Sequence, residues 1–260
     1  MSKEYHINVS KSDIENSEYC IICGDPDRVP RISKFLRDTK ELSFHRGYHI
    51  HLGYINDSPI IVASTGIGAP TTAIGIEEFG FLGVKTFIRV GTSGILSDKV
   101  KLGDIVSAIG AIRDEGTSKQ YIDYQFPAVA NPDVIIALRR AVKRLGFSSI
   151  FHEGIVHSKD SFYSETPKLM PDPNISHRWE MWKRAGTLIT EMECSILFTI
   201  SQIRGWRSGG IIAAIGNIDS GVIILDPKKG QEEAIKTAIE AVKILLETDA
   251  TVDAIKVLQK

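Results

Sequence analysis

The 260 residues of this chain predict an α/β fold of three layers, and three observations carry that expectation. Short runs rich in Ile and Val alternate with segments of helical period, the pattern of a sheet covered by helices. Residues 59–90 read as strand, glycine turn, helix and strand, a βαβ unit with parallel strands and a right-handed crossover. Residues 231–248 place Ala234, Ile235, Ala238, Ile239, Val242 and Leu245 on one face, as an amphipathic helix over a sheet requires.

Taken in order, 19–23 is a short apolar strand ending at Gly24, followed by helical spacing over 26–36. Residues 49–55 and 59–64 are two strands around the turn Asn56-Asp57-Ser58. A helix over 71–82 follows the turn 65–70, and a strand over 85–90 runs into Gly91-Thr92. Further strands are expected at 104–112, 153–157, 187–191 and 209–215, and helices at 131–145, where Pro132 suits the first turn, and at 194–203. No composition break divides the chain, so a single domain over 1–260 is expected.

Composition narrows the function. The chain is 43% hydrophobic and 24% charged, and 31 Lys plus Arg against 32 Asp plus Glu leave a formal charge of −1. No basic surplus exists to displace phosphate counterions, which argues against nucleic acid and against an anionic membrane as partner. The start, Met-Ser-Lys-Glu-Tyr-His, has no apolar stretch and no run reaches the length of a membrane span, so a cytoplasmic protein is expected. Three cysteines do not make a disulfide framework. Cys20-Ile21-Ile22-Cys23 lies within a strand, where positions i and i+3 face opposite ways, so it reads as two buried small residues rather than a redox pair. No second Cys/His pair stands at ligand spacing, and no metal is expected.

Four segments carry possible chemistry. Gly24-Asp25-Pro26-Asp27-Arg28 joins a strand to a helix and suits either an anion held with Arg28 or a capped helix start. Thr65-Gly66-Ile67-Gly68-Ala69-Pro70 lacks the third glycine and the downstream acid of a dinucleotide fingerprint, so it reads as a tight turn. In Ile88-Arg89-Val90-Gly91-Thr92-Ser93-Gly94 a charged side chain interrupts an apolar strand. A buried guanidinium needs a carboxylate or a bound anion beside it. In Thr190-Glu191-Met192-Glu193-Cys194 the paired glutamates suit a vicinal diol or the first turn of a helix.

These four segments, in this order and spacing, resemble the nucleoside phosphorylase family, which includes uridine phosphorylases and small-subunit purine nucleoside phosphorylases. The likeness runs from His6 to about Leu246. It implies an α/β/α fold around a mixed, partly barrel-like sheet and a hexamer built as a trimer of dimers. It also implies cleavage of the N-glycosidic bond of a nucleoside by inorganic phosphate, a co-substrate, with no cofactor. Carried over residue by residue, Gly24, Arg28, Arg89 and Thr92 hold phosphate, with Arg46 reaching in from a neighbouring subunit. His6 crosses the same interface to the ribose, which Thr92, Met192 and Glu193 bind. Phe162 stacks on the base, with Ser93, Gly94 and Glu191 near it. Arg89, Glu193 and Asn217 form the expected catalytic set.

The resemblance is incomplete around the base. Family members acting on uridine carry a Gln and an Arg after the Phe-Tyr pair. This chain has Phe162-Tyr163-Ser164-Glu165-Thr166-Pro167-Lys168, leaving Thr166 and Lys168 as base-binding candidates. A Lys is a point charge and cannot copy a planar fork. The purine enzymes place an Asp where Asn217 stands, or Asp219 if the alignment shifts by two, and an amide cannot protonate a purine ring. The balance favours uridine. A purine nucleoside or methylthioadenosine is the alternative, and a non-catalytic nucleoside-binding subunit is a third. Gly47 replaces the Glu beside the interface arginine of bacterial uridine enzymes, so no monovalent-cation site is expected there.

Overall fold

The computed structural model describes residues 2–163, 173–217 and 228–258. In chain order the elements are β1 (Tyr19–Cys23), α1 (Arg28–Ser33), β2 (Arg37–His45), β3 (Tyr48–Ile55), β4 (Ser58–Ser64), α2 (Ala69–Leu82), β5 (Thr86–Ile95) and β6 (Ile105–Asp114). They continue with β7 (Ala128–Val129), α3 (Pro132–Leu145), β8 (Phe151–Lys159), α4 (Pro173–Arg184), β9 (Ile189–Glu191), α5 (Cys194–Arg204), β10 (Arg207–Asn217) and α6 (Gln231–Leu258).

The sheet is mixed and partly closed. β5, β9, β8, β6 and β10 form a ring, because β10 pairs with both β6 and β5. From β5 an open wing extends through β1, β4, β3 and β2. The expected βαβ unit is present with one difference: β1 lies between β4 and β5 and pairs parallel with both. All five residues of β1 are buried, and a strand so apolar is satisfied only with neighbours on both edges.

Helices cover the two faces and complete the three layers. On one side α2 and α5 contribute Phe79, Ile196 and Phe198 to a core shared with Ile22, Phe87 and Ile212. On the other, α1, α3 and α6 contribute Val29, Val134, Leu138, Ile235 and Val242 against Ile21, Ile88 and Ile211. All six apolar positions expected on one face of α6 are buried. Helix α3 begins as expected, with the Asn131 side chain accepting from the Asp133 and Val134 amides and Pro132 in the first turn. Cys20 belongs to the first core and Cys23 to the second, so the strand period separates them as expected. Burial raises both thiol pKa values, that of Cys23 to about 12.

Several boundaries differ from expectation. Helix α1 is shorter than 26–36, because Asp25 Oδ1 accepts the Asp27 amide (2.9 Å) in a separate turn before it. Asp27 stands at the N-cap without a side-chain bond. β5 continues to Ile95 instead of ending near Val90, and β9 is shorter than 187–191. β2 was not expected at all. It is an edge strand, largely exposed, so its sequence has no alternation to betray it. Among the described residues no helix is long and apolar enough to cross a membrane.

Candidate functional site

A cavity of about 470 Å³ opens beyond the carboxyl ends of the parallel strands β1, β4 and β5, where open α/β sheets place ligands. Its wall includes ten of the residues singled out in the sequence: Gly24, Arg28, Arg89, Thr92, Ser93, Gly94, Phe162, Glu191, Met192 and Glu193. They come from segments far apart in the chain, which the β1–β5–β9 pairing draws together.

Arg89 is the hub. Its guanidinium is buried, and Nε lies 3.2 Å from Glu191 Oε2 while Nη2 pairs with Glu193 Oε2. Burial alone would lower its pKa, but the Glu193 and Glu191 charges reverse that, so it stays a cation. Gly91 makes the fold-back possible, since a Cβ there would sit 2.9 Å from Arg89 Nη2. The choice left open at Arg89, carboxylate or bound anion, therefore has carboxylates on one side and the cavity on the other.

The two glutamates differ. Glu191 accepts from the Glu193 amide (2.9 Å), the Cys194 amide and the Ser158 hydroxyl, so it holds the start of α5 as well as Arg89. Glu193 Oε1 accepts the Gly68 amide at 2.7 Å. That bond needs the backbone of Gly68 at φ 95°, a conformation suited to glycine. Burial pushes the Glu193 carboxyl upward against the pull of Arg89, because one guanidinium serves two carboxylates.

Arg28 is in the opposite condition. It is 6% exposed, Nη1 donates to the Val90 carbonyl (3.1 Å), and Nε is buried with no hydrogen-bond partner. Among the described residues it forms no salt bridge, and burial lowers its pKa. A desolvated cation that faces a cavity and is paired with no carboxylate is a site for an anion.

The remaining expectations fall elsewhere. His6 and Arg46 do not line this cavity. His6 Nδ1 meets Glu78 Oε1 at 2.5 Å, His45 Nδ1 reaches the His6 carbonyl (3.0 Å), and Arg46 Nη2 donates to Tyr5 Oη (2.9 Å). The two therefore share one patch at the β2–β3 turn, away from their own chain's cavity. Asn217 ends β10, in register with Ile95 and two residues past the lining residue Ile215. Thr166, Lys168 and Asp219 lie outside the described residues. Sequence reasoning passed over Lys159, which is 4% exposed and lines the cavity with Nζ 5.7 Å from the Phe162 ring centroid. Its signal was weak, because β8 mixes His152, Glu153, His157 and Ser158 with its apolar residues, whereas Arg89 interrupts an apolar run. It also passed over a cluster of Glu41, His49 and His51 outside the cavity.

Comparison with known proteins identifies the family. The family model described as "Phosphorylase superfamily" matches residues 18–247. The uridine phosphorylase of Treponema pallidum is 39% identical over 251 residues, covering 95% of this chain and 96% of that protein. The uridine phosphorylase of Thermococcus kodakarensis is 39% identical over 254 residues, covering 95% and 88%. The guanosine phosphorylase of Halorubrum lacusprofundi is 35% identical over 221 residues, covering 85% and 86%.

Proposed function

The chain belongs to the phosphorylase superfamily, and from that premise we propose that it cleaves uridine with inorganic phosphate, giving uracil and ribose 1-phosphate. The observation that carries the choice of nucleophile is Arg28, a buried cation with an unpartnered Nε at the cavity wall. Water needs no such group; a phosphate dianion does.

In this reaction the N1–C1′ bond breaks and a C1′–O bond to phosphate forms. The bonding pair leaves with uracil N1, which takes up the proton carried by the monohydrogen phosphate. Positive charge develops on the sugar as the base departs. Arg28, Arg89, Thr92 and the Gly24 backbone hold the phosphate beneath C1′, where it acts as nucleophile and counter-charge together. Glu193, fixed by Gly68 and Arg89, retains lone pairs for the ribose hydroxyls, and Met192 packs against the ring. Phe162 stacks on the base beside Ser93 and Gly94, while Glu191 acts by keeping Arg89 in place. Thr166 and Lys168, outside the described residues, are the proposed contacts to the base edge. Asn217 at the end of β10 favours uridine, since purine cleavage calls for an acid there. No cofactor takes part.

Among the described residues the cavity wall holds Arg28, Arg89 and Lys159 against Asp25, Glu191 and Glu193, three charges of each sign. A phosphate dianion needs a further cation. Arg46 from a second copy, with His6 beside it, supplies that charge and a ribose contact. The functional unit is thus at least a dimer, in a hexamer assembled from dimers, working in the cytoplasm.

Incubation with uridine, inosine, guanosine and methylthioadenosine, with and without phosphate, tests this reading. Uracil release dependent on phosphate, with equimolar ribose 1-phosphate, is expected. Equal release without phosphate would remove phosphorolysis, and guanosine cleavage without uridine cleavage would reassign the base.

A further inference from the structure

Outside the cavity, the β2–β3 hairpin brings together three side chains that the reaction does not use. Glu41 is the cross-strand partner of His51, and His49 lies two residues before His51 on the same face of β3. Their donor atoms converge. His49 Nε2 is 2.9 Å from Glu41 Oε2 and 3.1 Å from His51 Nε2, and His51 Nε2 is 3.7 Å from Glu41 Oε2. We propose that Glu41, His49 and His51 form a binding site for a divalent transition-metal ion of the zinc class.

The dimensions fit such an ion. A triangle with those edges has a point about 1.9 Å from each corner, so an ion at usual Zn–N and Zn–O lengths of ~2.0–2.2 Å sits just off its plane. That is the position of a tetrahedral centre whose fourth ligand comes from the open side, where the Glu41 side chain is 58% exposed. Two imidazoles and one carboxylate favour zinc and its neighbours over magnesium or calcium, which prefer all-oxygen shells.

The surroundings orient the ligands. His49 Nδ1 is 3.2 Å from the Pro26 carbonyl, which can only accept, so this nitrogen carries a proton. In the neutral ring Nε2 then presents a lone pair to the carboxylate and to His51. This is the outer contact that fixes a metal-bound histidine. The Phe44 ring, stacked at 4.7 Å, holds the imidazole plane. Pro26 also lines the cavity, so the His49–Pro26 hydrogen bond joins the hairpin to the loop that carries Gly24 and precedes Arg28.

Cobalt(II) added to chelator-stripped full-length protein is the probe. One equivalent per chain is expected, with the intense visible bands of four-coordinate cobalt and no sulfur charge-transfer band. Zinc should displace it and raise Tm. His51→Ala and Glu41→Ala, each checked for folding by circular dichroism, should weaken binding by more than about 100-fold. The proposal falls if the stripped protein shows no saturable uptake, or if both variants bind as tightly as the parent. It also falls if nitrogen-15 spectra with zinc present show a doubly protonated His49, since the cluster is then an ion pair.

Discussion

Arg28 and Arg89 are both buried guanidiniums at the strand ends, yet their energetics are opposite. Arg89 is neutralised by two carboxylates, and removing it would leave the buried Glu191 and Glu193 without their shared cation. Among the described residues Arg28 has only a carbonyl and an orphaned Nε, so no salt bridge offsets its desolvation until an anion arrives. Arg28→Met should therefore raise the stability of the phosphate-free protein by about 1 kcal/mol while lowering kcat/KM for phosphate by ~10²–10³-fold. Thermal melts with and without phosphate check both halves. Phosphate should protect the parent by about 2.7 kcal/mol at a hundred times Kd and leave the variant unprotected. A variant that melts lower and is still protected by phosphate would contradict this account of Arg28.

At the scale of elements, β1 shows how pattern and burial decide chemistry. A Cys-x-x-Cys at a helix start lowers a thiol pKa; the same spacing in a central strand sends the sulfurs to opposite cores and raises it. Cys20, Cys23 and Cys194 are all free and buried. They should resist a thiol reagent at pH 8 for as long as the fold persists and react together once denaturant opens it. Rapid labelling of Cys20 or Cys23 in the native protein would overturn that reading. β2 carries the opposite lesson. Its exposed residues alternate in nothing, so it was invisible in sequence, and with it the register that sets Glu41 opposite His51. The zinc-class site was hidden for that reason, although His49-Ile50-His51 stood in plain view.

At the scale of the whole molecule, the patch holding Tyr5, His6 and Arg46 lies apart from the cavity of its own chain. If each site takes Arg28 from one copy and Arg46 from another, two inactive variants should complement each other. Arg28→Ala and Arg46→Ala chains, unfolded and refolded together, should recover about a quarter of the parent activity, because half of randomly paired dimers carry one complete site in two. Recovery no greater than the sum of the separate variants would mean that each chain supplies its own cations.

The sequence by itself determined the layers, the helix faces and the candidate site residues, ten of which line one cavity. It could do so because period-2 and period-3.6 patterns and a charge inside an apolar strand are local signals. Only the tertiary structure decided what each charge meets. Arg89 reaches glutamates about a hundred residues away through the β5–β9 pairing, Arg28 pairs with no carboxylate among the described residues, and Glu41 meets two histidines across a hairpin. Those outcomes depend on strand register and on which neighbour fills the remaining space, and neither is written in any local stretch of the chain.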